Sequence, residues 1–168
     1  MASRDSKPPR APKAQHDDNG LRRQAREAAV QVLYAIDAAG EQSDGFVDDA
    51  LRNYWAHLEG PAPGRPYGDA LVRGVVEKWA EIDPMIRAAN PNWRIERMAR
   101  VDRNVLRMAT WEIVFGEVPP EVAIDEAIEM AKRFGTEDSA AFVNGTLDKL
   151  ATLQGLSLIH ISEPTRPY

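Results

Sequence analysis

"DSAAFVNGTLDKL" (138–150) is the stretch on which the fold turns, because it reads two ways. Asn144-Gly145 is a strong turn signal, since both residues tolerate positive φ. Val143, Leu147, Leu150 and Ala151 nevertheless recur at helical spacing around it, with Asp138-Ser139 placed as a helix N-cap. A hairpin here would put strands at the C-terminal end; a helix makes the chain all-α. Within a helix, Gly145 costs on the order of 1 kcal/mol relative to alanine and deletes a side chain from one face. The gap would let another element approach closely, with Asn144 hydrogen-bonding across the contact. The alternative is a local break between two shorter helices.

The segments upstream support the helix. Leu21, Ala25, Ala28, Val32, Leu33 and Ile36 form one apolar stripe, with Gly40 as its stop. Ser43 caps a second stripe of Phe46, Val47, Ala50, Leu51, Tyr54, Trp55 and Leu58, and "EGPAPGRP" (59–66) is a loop. Tyr67, Leu71, Val75, Trp79, Ile82 and Ile86 predict a long third helix that Pro84 kinks or divides, with Asp83 capping the second piece. After the turn "NPNW" (90–93), Met98, Val101, Val105, Ala109 and Ile113 define the next helix, stopped before Pro119-Pro120. Val122, Ala123, Ala127, Ile128 and Ala131 make another, ended by Gly135. Six to seven helices with short loops, no alternating run in this body and no repeat period predict an all-α helical bundle. The four tryptophans are read as core residues.

The flanks differ from this body. The first 20 residues are rich in Pro, Lys, Arg and Asp and are read as a disordered basic arm, followed by a folded domain over 21–155. "LSLIHISEPTRPY" (156–168) alternates like a strand without a partner and is read as a vector- or adaptor-derived tail.

Composition narrows the function. The chain has 168 residues, a net charge of −5 and no cysteine, so disulfides and thiol-ligated metal are excluded. The histidines (His16, His57, His160) are scattered, and no apolar run is long enough to span a membrane. No phosphate-cradling glycine loop, metal-binding histidine pair or nucleophile–base set appears, so no enzyme, metal or cofactor is expected. Asp125, Glu126 and Glu129 read as the solvated face of an amphipathic helix.

Charge is uneven: residues 1–26 carry seven basic and three acidic side chains, whereas the remainder carries 14 basic and 23 acidic ones. A basic arm on an acidic body suits local engagement of nucleic acid, or simply solubilises the chain. In "RRQAR" (22–26), Arg22, Arg23 and Arg26 crowd positive charge onto a helix start, against the helix dipole. An external polyphosphate would relieve that, as would acids of the body such as Glu27 or Glu137. Tyr34, two turns on, flanks the stripe where it can stack on a base. Arg94, Arg97, Arg100, Arg103 and Arg107 form a second series, read either as a nucleic-acid stripe or as a protein interface, with Glu96 and Asp102 interrupting it.

"RRQAREAAVQVLYAIDAAG" (22–40), "RVDRNVLRMATWEI" (100–113), "VAIDEAIEMAKRFG" (122–135) and "DSAAFVNGTLDKLA" (138–151), in this order, resemble the bacterial NusB family of transcription antitermination factors over about residues 21–153. The resemblance implies two three-helix groups without catalysis. It implies a cytoplasmic factor that binds the single-stranded boxA element of nascent ribosomal RNA together with the ribosomal protein NusE, within the RNA polymerase antitermination complex. It also implies that free copies can pair through the RNA face. Matched position by position, Arg22, Arg23, Arg26 and Tyr34 correspond to the RNA-contacting first helix, and Asp138, Ser139 and Phe142 to a second contact region. Asp102 and its helix, with Arg103 and Leu106, correspond to the NusE surface. Asp138 would act as a base acceptor or an N-cap, and Asp102 can equally pair with its neighbouring arginines. On this reading Asn144-Gly145 packs the last helix so that Asp138 and Phe142 sit beside Arg22, Arg26 and Tyr34. The alternative is a NusB-fold interaction scaffold without boxA recognition.

Overall fold

The computed structural model describes the backbone of residues 12–156 and the side chains from Asn19 to Leu156. The described residues form six α-helices and one 3₁₀ turn, with no strand: α1 Pro12–Ala39, α2 Asp44–His57, α3 Arg65–Ala89, the 3₁₀ turn Ile95–Arg97, α4 Arg100–Val114, α5 Pro120–Phe134 and α6 Ser139–Leu153. The helices form two three-helix groups, α1–α3 and α4–α6, joined where α3 and α1 pack on α4. Leu33, Ile36, Leu71, Ile86, Leu106, Met108, Leu147 and Leu150 close one continuous core between them.

Local chemistry accounts for most boundaries. Gly40 ends α1 with φ 66°, its N–H bonding the Ile36 carbonyl at 3.0 Å. Ser43 caps α2 by accepting from the Phe46 N–H at 3.4 Å. Proline opens α5 at its first position, where a missing N–H costs nothing. Gly74 is needed for contact: a Cβ there would enter the Trp111 ring, so α3 and α4 meet at a bare backbone.

Three expectations change. The helix begins at Pro12, so residues 12–20 of the expected arm are the start of α1; they carry no apolar stripe and gave periodicity nothing to register. Pro84 does not divide α3, because Ile82, Ile86 and Ala89 bury on both sides of it, and Asp83 is a buried partner of Arg107 rather than a cap. Asn144-Gly145 lies inside a continuous α6, but both residues are exposed and a Cβ on Gly145 would meet nothing within 4 Å. The glycine therefore does not admit helix one: α6 packs against α5, α4 and α3, with no comparable contact to α1. Residues 1–11 of the arm and 157–168 of the tail lie outside the described residues; Leu156 is half-buried against the core.

Inside the bundle, Asp37 near the end of α1 accepts from Arg103 at 2.6 and 2.7 Å, Asn104 at 2.8 Å and Arg107 at 2.9 Å. Arg107 also grips Asp83 of α3 at 2.8 and 3.0 Å and lies 3.9 Å from the Trp79 ring centroid. Burial would raise the Asp37 carboxyl, but the Arg103, Asn104 and Arg107 contacts outweigh it and hold the group below the usual carboxylate range. This network ties α1, α3 and α4 into one unit.

Candidate nucleic-acid interface

The arginines of α1 separate by depth. Arg22 is exposed, with its guanidinium 5.0 Å from the Tyr67 ring centroid. Arg23 is half-exposed and donates to Glu126 of α5 at 3.2 Å, a contact that raises its pKa. Arg26 is only 3% exposed. Its guanidinium clasps the fully buried Glu112 of α4 at 2.8 to 3.1 Å, and the Tyr67 hydroxyl donates to the same carboxylate at 2.5 Å. Burial alone would lower the Arg26 pKa, but the Glu112 hydrogen bonds outweigh it and raise it, so the guanidinium stays charged inside the protein. Burial and the Glu112 charge push the Tyr67 phenol up.

Arg26 is therefore corrected from RNA contact to internal support. Its anion is supplied by Glu112, and for Arg23 by Glu126; neither of the acids expected to serve, Glu27 or Glu137, does so. Glu27 instead holds Arg133 of α5 at 3.0 Å.

Tyr34 keeps 40% of its surface exposed. It borders a cleft of about 280 Å³ with Val30, Gln31, Val101 and Phe134, and the Arg100 guanidinium stands 5.6 Å from its ring centroid. An exposed aromatic face with a cation beside it is the arrangement that stacks on bases and holds a phosphate.

Asp138 is exposed and makes no side-chain cap bond, which removes the N-cap role and leaves its carboxylate available as an acceptor. Ser139 is buried and accepts from the Thr136 N–H at 2.9 Å, so it shapes the α5–α6 turn instead of contacting a ligand. Phe142 is half-buried and packs nearly perpendicular to Trp93, centroids 6.1 Å apart. The α1 and α6 helices do not pack on one another as expected, sharing no contact comparable to those α6 makes with α5, α4 and α3. They are linked through the end of α5, where Phe134 lines the Tyr34 cleft and Gly135–Asp138 lead into α6.

On α4, Leu106 is 0% exposed and Arg103 is spent on Asp37, so neither offers a side chain to a partner protein. Asp102 is also buried, and its Oδ1 has no hydrogen-bond partner among the described residues. The neighbouring arginines do not pair with it, because Arg103 and Arg107 serve Asp37 and Asp83.

Sequence reasoning missed the Arg26–Glu112–Tyr67 cluster. Its one visible signal is Glu112 sitting among "ATWEIV", where an acid interrupts an apolar helix end. Among the described residues no group of three or more His, Asp or Glu could hold a metal ion, and no helix is long and apolar enough to cross a membrane.

The NusB family pattern matches residues 23–152. A relative, the transcription antitermination protein NusB of Sorangium cellulosum (strain So ce56), is 50% identical over 133 residues, covering 79% of this chain and 92% of its own. Among solved structures, T. maritima NusB superposes with TM-score 0.68 at 37% identity over 78% of this chain and 90% of its own. The complex of the antitermination factors NusB and NusE with double-stranded RNA contains a chain that matches with TM-score 0.68 at 26% identity, over 80% of this chain and 98% of its own.

Proposed function

This chain belongs to the NusB family, and on that premise we propose that it is a cytoplasmic transcription antitermination factor. It binds the single-stranded boxA element of nascent ribosomal RNA together with NusE, as part of the RNA polymerase antitermination complex, and carries out no catalysis. The observation that carries this reading is the exposed face of α1, where Arg22 and Arg23 precede a half-exposed Tyr34 bordering an apolar cleft. Arginine–phosphate contacts supply affinity that falls with salt, whereas base contacts supply register. An unpaired base reaches Tyr34; a base inside a duplex has its faces covered by its neighbours. On this reading Tyr34, Phe142 and Asp138 read bases, and Arg22 and Arg23 hold phosphate. Pairing of free copies through this face would cover the same residues.

A second reading, an interaction scaffold of this fold without boxA recognition, is favoured by one feature: Arg23, Arg26 and Arg133 are already matched by carboxylates. Titrating a labelled boxA RNA against the full chain with NusE present separates the two. The antitermination reading expects tighter binding to boxA than to a scrambled RNA of equal length, and weaker binding to a boxA duplex. Equal binding to the scrambled strand sinks it.

A further inference from the structure

Among the described arginines, three pair with no carboxylate of the described residues: Arg22, Arg94 and Arg97. Arg22 belongs to the α1 face already discussed. Arg94 precedes the 3₁₀ turn and Arg97 ends it; Ile95 and Met98 are buried on one side, and the two arginines are exposed on the other. Next to them stands Trp93, 55% exposed, while the other three tryptophans are buried or half-buried. Its contact with Phe142 is near-perpendicular, with an interplanar angle of 77°, and it leaves more than half of the residue open to solvent.

The loop that carries these residues is tied to the last helix. The Asn90 side chain donates to Thr146 Oγ1 at 3.1 Å, fixing the loop to α6. A cleft of about 380 Å³ opens there, lined by Arg87, Asn90, Pro91, Trp93, Arg94 and Glu96. Glu96 is the one acid in it, and Arg87 stands 3.7 Å away to balance its charge. The net field of the corner is positive. Beyond it, α4 begins at Arg100, the residue above the Tyr34 ring. Two exposed aromatic side chains, Tyr34 and Trp93, are thus connected by a segment bearing Arg94, Arg97 and Arg100. Cations interleaved with open aromatic faces are what a single strand needs, with phosphates on the cations and unpaired bases on the rings.

We propose that Trp93, with Arg94 and Arg97, is a second RNA site, at which the indole stacks on an unpaired base and the two arginines hold the adjoining phosphates. The inference deepens the proposed function and rests on it. Phe142 acts here as the edge-on support that keeps the indole upright. The exposed tryptophan is a base platform and not leftover core surface.

The test is an anisotropy titration of a labelled single-stranded boxA RNA against the full chain, with and without NusE. The variants are Trp93→Ala, Trp93→Phe, Arg94→Ala/Arg97→Ala and Arg22→Ala/Arg23→Ala. Trp93→Ala should weaken binding about five- to a hundredfold with or without NusE, as loss of a stacking platform does, and Trp93→Phe should retain most of it. Arg94→Ala/Arg97→Ala touches only exposed side chains, and should flatten the slope of log K against log salt by roughly 1.4. Wild-type affinity in Trp93→Ala and Arg94→Ala/Arg97→Ala, alongside loss in Arg22→Ala/Arg23→Ala, overturns this site and leaves the RNA reading standing. A Trp93→Ala defect seen only with NusE present makes the corner a protein contact and also overturns it. If Arg22→Ala/Arg23→Ala is unaffected and a scrambled RNA binds equally, the proposed function fails and this site fails with it.

Discussion

Arg26 and Glu112 are held out of water together, so removing one strands the other. Arg26→Ala leaves a carboxylate with only the Tyr67 hydroxyl beside it, and breaking a buried pair in this way costs about 3 to 5 kcal/mol. The expected outcome is a much lower urea midpoint, with any RNA defect tracking the unfolded fraction. Glu126 differs because its contact with Arg23 is half-exposed, and under the proposed function it competes with phosphate for that guanidinium. Glu126→Gln keeps the size of the side chain and removes the charge that neutralises Arg23. RNA affinity should rise a few-fold at low salt, and the gain should vanish in an Arg23→Ala background; a gain that persists there would mean a diffuse field effect. Asp37 gives a pH signature. Its folded pKa lies below the unfolded value, so its contribution is present above the ordinary carboxylate pKa of about 3.9 and is lost as pH falls through the folded value. The stability gap between wild type and Asp37→Asn, measured by denaturant unfolding, should therefore be wide at neutral pH and close in acid.

At the scale of the helices, Gly145 is the direct check that "VNGTL" is helical. With open space around the glycine and α6 running through it, Gly145→Ala should raise stability by about 1 kcal/mol. A loss on thermal unfolding would mean that the backbone there is not helical. Helix positions were legible because burial writes itself into sequence with a 3.6-residue period and because Ser43, Gly40, Pro120 and Gly135 mark ends by their own backbone chemistry. The depth of polar residues was not legible. Arg23 and Arg26 look alike in sequence, and only the arrival of Glu112 from 86 residues away buries one of them. Asp83 reads as a cap in sequence for the same reason: its partner, Arg107, lies on another helix. Ser139 looked like a ligand contact until the Thr136 backbone claimed it.

For the molecule as a whole, two buried ionic clusters hold the helical groups together, Arg26–Glu112–Tyr67 at the middle of α1 and Asp37–Arg103–Arg107–Asp83 toward its end. Between them α1 is fixed, which holds Tyr34 in place, and Arg22 and Arg23 stand within one turn of the first anchor, so the outer face is presented with little freedom to rearrange. A rigid face loses little entropy on binding, which favours recognition of an ordered string of bases over a general attraction to polyanions. Family membership suggested Arg22, Arg23 and Tyr34 in advance, and the burial of Arg26, Ser139 and Leu106 then narrowed the set to side chains that reach solvent. The central claim is sequence-selective binding of a single strand on this face. It is tested most directly by the affinity ratio of boxA RNA to a scrambled strand of equal length, with NusE present, for wild type and Tyr34→Ala. The account predicts a clear preference for boxA that Tyr34→Ala reduces while the salt slope stays the same. Equal affinity for both strands in the wild type would contradict it.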